Sequence, residues 1–148
     1  MEKQNDGGFT LLESLLVLMV ASLFLLIPTL SLEKWQQTSG ERLFFARFEK
    51  RMAATQQAAI VRQKTRQMMY HPEDATISFS GIGDNKAGIA LVIPDAMVYN
   101  GVKEIRFKAI SGNYSGMVKL KFTIPEKEMA IHYQFMLGSG KYTKEIIK

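Results

Sequence analysis

The chain contains no cysteine among its 148 residues. Disulfide stapling and thiolate chemistry are therefore excluded, and an exported domain of this sequence must hold together by packing. Histidine occurs only at His71 and His132. Without cysteine, two histidines make no compact zinc set, and His132, at an alternating position, reads as a surface side chain. Proline is absent from Thr29 to His71, which leaves room for a long uninterrupted helix. Charge is absent from Ser14 to Leu32. At about 1.5 Å rise per residue, that stretch is long enough to cross the apolar core of a bilayer.

Set against that apolar run is one carboxylate, Glu13, within Gly8-Phe9-Thr10-Leu11-Leu12-Glu13-Ser14. A carboxylate near the membrane interior costs roughly 2.5–3.5 kcal/mol on insertion scales, so it needs a partner or a function unless it only marks the aqueous end of the span. A short polar leader, residues 1–7, precedes the motif. An ordinary secretory signal does not fit. The leader offers Lys3 against Glu2 and Asp6, the apolar core is too long, and no small-residue cleavage site follows Pro28-Thr29-Leu30-Ser31-Leu32. Because the leader is not net basic, the charge rule alone does not set orientation.

The motif resembles the class III signal peptide of type IV prepilins and pseudopilins. The resemblance implies cleavage between Gly8 and Phe9 by a membrane peptidase, N-methylation of Phe9, and a filament-assembly role for Glu13. In that role the Glu13 carboxylate neutralises the Phe9 ammonium of a neighbouring subunit in low dielectric. It also implies a single-pass protein of the cell membrane, leader in the cytoplasm and carboxyl end outside, reaching the cell surface after assembly. The implied partners are major and minor pseudopilins, the prepilin peptidase, a platform protein with its traffic ATPase, and membrane lipid before assembly.

Beyond the span, Phe44, Phe45, Phe48, Met52, Ala59 and Ile60 recur at helical spacing, with Arg47, Lys50, Arg51, Arg62 and Lys64 largely between them. One helix from Phe9 to about residues 62–66, kinked at Pro28 and loosened at Gly40, accounts for this better than a fresh start at the capping-box pattern Thr38-Ser39-Gly40-Glu41. Trp35 suits an interfacial anchor. From Thr65 the period shifts towards two: Ile105 to Ala109, Val118 to Phe122 and Met129 to Leu137 alternate, and Thr76 to Phe79 and Ile89 to Ile93 add shorter strands. Turns fall at 111–116, 125–127 and 138–140. The expected class is α+β and type IV pilin-like: a long N-terminal helix, spanning the membrane in its first half, packed on a C-terminal antiparallel sheet. Its segments are a leader at 1–8, a membrane or filament-core helix at 9–32, an amphipathic continuation at 33–66 and an exported β domain at 67–148. Met68, Met69, Met97, Met117, Met129 and Met136 are read as core filler.

Two further stretches narrow the likeness. Residues 56–63 at the helix end and Phe135-Met136-Leu137-Gly138-Ser139-Gly140-Lys141 resemble the minor pseudopilins of the Gram-positive competence apparatus. The resemblance implies a structural subunit of a pseudopilus for DNA binding and uptake, with DNA met directly or through the filament. Type II secretion or type IV pilus subunits are the near alternatives, and an uncleaved single-span binding protein the distant one. No enzyme, metal site or cofactor is expected. Gly81-Ile82-Gly83-Asp84-Asn85-Lys86 lacks the third glycine of a dinucleotide loop and reads as a turn. Ser111, Ser115 and Ser139 lie in turns without an identifiable acid-base pair. The net charge of +5 rises to +6 without the leader, whose one base faces two acids. If Ile105–Ala109 and Val118–Phe122 form a hairpin, Arg106, Lys108, Lys119 and Lys121 share a face. That face is a polyanion contact, a subunit contact, or a solvated face that guards an edge against aggregation.

Overall fold

The computed structural model describes residues 10–81 and 88–148, with the side chains of residues 25–37 left outside the description. Gly8, Phe9 and most of the 81–86 turn lie outside the described residues, as do the Trp35 side chain and the kink expected at Pro28. Helix α1 runs Leu11–Val61 and is followed by β1 Arg66–His71, β2 Thr76–Phe79, β3 Ile89–Val92, β4 Val98–Asn100, β5 Glu104–Phe107, β6 Lys119–Ile124, β7 Met129–Phe135 and β8 Tyr142–Ile147. The protein is α+β, and all the strand pairings are antiparallel. Thr38-Ser39-Gly40-Glu41 lies within α1, so it starts no second helix. Among the described residues no helix is long and apolar enough to cross a membrane.

Two compact units divide the chain, Met1–Gly40 and Glu41–Lys148. In the second, the strands form two four-stranded sheets, ordered β3-β2-β1-β5 and β4-β6-β7-β8, instead of the single sheet expected. The helical face that covers them carries Phe44, Phe45, Phe48, Met52, Thr55 and Ala59, all buried. Their three-to-four spacing puts them in one stripe. Phe48 lies where both sheets meet it, with ring centroids 5.9 Å from Phe79 of β2, 5.2 Å from Phe122 of β6 and 5.3 Å from Tyr133 of β7. Tyr99 joins the sheets from β4, 4.5 Å from Tyr70 and 5.1 Å from Phe122, while its hydroxyl donates to the Val102 carbonyl at 2.8 Å. Burial of each such ring stabilises by about 1.5–3 kcal/mol, with edge-on pairing adding about 0.5–1.5 kcal/mol.

Polar ties hold the helix in place. Glu49 Oε1 accepts from the Tyr133 hydroxyl and from Lys144 Nζ, each at 2.7 Å, which links α1 to β7 and β8. Burial alone would raise the Glu49 carboxyl, but the hydrogen bonds from Lys144 and Tyr133 outweigh it and hold the carboxyl below its ordinary range. Tyr133 is pushed strongly up by burial and by that same carboxylate. At the other end Glu41, only 5% exposed, pairs with Lys127 at 2.5 Å. The helix stops at Gln63, which takes the left-handed conformation at φ 52° that glycine more often supplies.

Several expectations change here. Ile60 is exposed, as are Met117 and Met136, because they lie at the helix end and in the connections that pack around it. Only Met68 and Met97 are fully core among the methionines read that way. The hairpin between Ile105–Ala109 and Val118–Phe122 does not form: β5 pairs with β1, and β6 pairs with β4 and β7. Instead of turning tightly, the connection reaches back to the helix, where the Ile110 N–H donates to the Ala59 carbonyl at 3.3 Å.

Candidate assembly surface

The N-terminal feature begins with Thr10. Its Oγ1 accepts the Glu13 N–H at 3.3 Å, which caps the first turn of α1. Thr10-Leu11-Leu12-Glu13 thus has capping-box spacing, a helix-start signal that lies inside the motif and was legible in the sequence. Glu13 sits in that first turn, where a carboxylate also complements the positive end of the helix dipole. Around it Leu11, Leu12, Leu15, Leu16, Val17 and Leu18 are all more than half exposed. Exposure continues to Phe24 on every face, so this segment is apolar all round and uncovered among the described residues.

The second feature lies at the other end of α1. Gln56 Nε2 donates to the Gly112 carbonyl at 3.1 Å. Gly140, at φ 66°, approaches so closely that a Cβ there would lie 2.6 Å from Gln56 Nε2 and 2.7 Å from the Gly112 carbonyl oxygen. The Gly138 N–H donates to the Tyr114 carbonyl at 3.1 Å. The helix end, the 108–118 connection and the 136–141 turn therefore form one pole. Two stretches singled out separately in the sequence, 56–63 and 135–141, meet there. Ser111 and Ser139 accept the backbone N–H groups of Asn113 and Lys141, so their hydroxyls shape turns.

The four expected basic residues separate into two pairs. Arg106 lies on β5 and is paired with Glu104 at 2.6 Å, with Lys108 in the connection that follows. Lys119 and Lys121 lie on β6 in the other sheet. Across strands Lys119 faces Gln134, while Lys121 faces Asn100 and His132, so the like-charge opposition does not arise. Continuing that row, His132 faces Glu145. His132, read as a surface side chain, lies half-buried in this otherwise exposed row, and both its ring nitrogens are buried without a hydrogen-bond partner among the described residues. Among the described residues no group of three acidic or histidine side chains could hold a metal ion.

No family model matches the chain, and no solved structure matches it. It is similar to competence protein ComGD of Streptococcus pneumoniae, with 29% identity over 139 residues that cover 94% of this chain and 79% of that protein. The chain is ComGD-like. The match covers most of the ComGD-like chain.

Proposed function

We propose that this chain is a minor pseudopilin, a structural subunit of a competence pseudopilus that serves DNA binding and uptake. The observation that carries the reading is Glu13 in the first turn of a helical segment that is exposed and apolar on every side. Such a segment must be covered by lipid or by its own kind, and a carboxylate inside either cover needs a cation. In the reading proposed here that cation is the N-methylated Phe9 ammonium of a neighbouring subunit, produced by cleavage after Gly8. The similarity to ComGD supports the competence setting.

In this reading the precursor spans the cell membrane once through residues 9–32, leader inside and carboxyl end outside, and enters the surface filament after cleavage. Pro28 provides the bend of the helix. Its partners are the prepilin peptidase, the platform protein and traffic ATPase, the major and minor pseudopilins, and lipid before assembly. Arg106, Lys108, Lys119 and Lys121 are offered to a polyanion or a sibling subunit. Lys119 and Lys121, alternating on one exposed face, suit phosphates better than Arg106, whose charge Glu104 offsets.

Mass spectrometry of the membrane-extracted protein tests the reading. The expected species lacks residues 1–8 and carries a methyl group on Phe9; an intact Met1 terminus overturns it. Gly8→Val should leave only the longer precursor. Glu13→Val should insert at least as well as the native chain, yet be absent from sheared surface filaments. Its loss strands the neighbour's ammonium at a cost on the order of 3–5 kcal/mol.

A further inference from the structure

The two sheets of the Glu41–Lys148 unit end in β3 and β5 on one side and in β4 and β8 on the other. An open edge offers unpaired N–H and C=O groups to any other extended chain, so folded proteins keep edges short, charged or covered. β3 is four residues long, and Arg51 Nη1 donates to its Ala90 carbonyl at 2.7 Å, which sets a guanidinium against it. β4 has three residues, and β5 has four with the Arg106–Glu104 ion pair on it. β8 breaks the pattern. It runs six residues, Tyr142–Ile147, without proline, and exposes Ile146 at 55% and Ile147 at 41%. Lys144, the base that would guard this edge, is held by Glu49 of α1 at 2.7 Å, while Glu145 has no ion pair among the described residues. The ladder decides which backbone groups are free. The Phe135 N–H donates to the Val118 carbonyl at 2.8 Å, on the β6 side, so Phe135, Tyr133 and Ile131 turn their backbone groups away from β8. Their partners across the strand are Tyr142, Lys144 and Ile146, whose N–H and C=O groups therefore face the open edge.

We propose that β8 receives one strand of a sibling pseudopilin, a different chain from this one, by edge-to-edge pairing. The inference rests on the assembly reading above and names a contact within it. The chemistry of the edge selects the occupant: donors and acceptors at every second residue match an extended polypeptide, a repeat that neither a phosphate backbone nor an acyl chain supplies. Side chains set the character of the added strand. Ile146 shares the α1 side of β8 with Lys144 and calls for an apolar neighbour, while Glu145 on the opposite side calls for a lysine or arginine. A second copy of β8 does not meet these terms. The antiparallel registers that overlap most of the strand with itself are centred on Lys144 or on Glu145, and each sets two like charges directly opposite. Pairing uses up the edge, so the contact is made once and does not repeat, which suits a subunit that enters the filament as a minor component.

The test uses the full chain in detergent, co-expressed in turn with each sibling pseudopilin of the same organism. One of these should co-purify. Amide exchange read residue by residue should then slow at Tyr142, Lys144 and Ile146, while Thr143, Glu145 and Ile147, whose amides already pair with β7, change little. That alternation separates strand addition from a general covering of the surface. Ile146→Pro removes one outward N–H and leaves the β7 bonds, so the thermal midpoint should hold while affinity for the sibling falls by about tenfold or more. Ile146→Val keeps the N–H and should bind as the native chain does. Should the midpoint of Ile146→Pro fall, the exchange pattern of the native complex decides alone. No sibling retained, uniform slowing from Tyr142 to Ile147, or a folded Ile146→Pro that binds undiminished overturns the proposal. So does the alternating pattern arising in the chain alone as its concentration rises, since the edge then takes a second copy. Cleavage after Gly8 and entry into filaments are scored separately, so failure of this contact leaves the assembly reading to its own test.

Discussion

Phe48 has no exposed surface and touches aromatic rings from both sheets. Phe48→Ala should therefore destabilise the Glu41–Lys148 unit by about 3–5 kcal/mol, measured by urea unfolding followed by tyrosine near-UV circular dichroism. Its neighbour in sequence, Glu49, acts through charge. Its carboxyl is held below the ordinary range, so its contribution is present at neutral pH, above the unfolded value of about 4.3, and is lost as acid protonates the folded carboxylate. Between pH 5 and 3 the native thermal midpoint should fall more steeply than that of Glu49→Gln. Equal slopes would show that the Tyr133 and Lys144 bonds add nothing to acid stability. The effect is modest because Glu49 remains about one-third exposed at 35%.

At the level of elements, the 136–141 turn depends on glycine for two reasons that act together. Gly140 needs a positive φ, and its missing Cβ leaves the space that Gln56 occupies. Gly140→Ala should cost more than about 1 kcal/mol and loosen β8, seen as faster amide exchange from Tyr142 to Ile147. Gly138 also has positive φ but nothing within 4 Å of a Cβ, so Gly138→Ala should be milder. The strands themselves were readable, since β2, β3, β5, β6 and β7 coincide with alternating or apolar runs. Their partners were not. Alternation assigns a strand's faces but carries no record of which strand lies beside it, and β5 and β6 alternate in the same way while belonging to different sheets. β4 is only three residues long, too short for alternation to establish.

For the whole molecule, the single tryptophan, Trp35, belongs to the Met1–Gly40 unit and the aromatic core to the Glu41–Lys148 unit. Unfolding by urea in detergent should therefore be non-coincident: the tyrosine near-UV signal should be lost in one cooperative step while tryptophan fluorescence changes elsewhere on the denaturant axis. Superimposable curves would mean that the two units unfold as one.

The sequence by itself determined the apolar start with its single carboxylate, the long helix, the α+β class and the likeness to the competence pseudopilins, which the similarity to ComGD bears out. These rest on local order: period, composition and short motifs act over neighbouring residues. Only the tertiary structure decided that two sheets share one helix, that Ile60, Met117 and Met136 face outward, that the His132 ring nitrogens are buried, and that Gln56 meets Gly112 and Gly140. Each of these joins residues far apart in the chain, which antiparallel pairing and packing on the helix bring together only in the folded state.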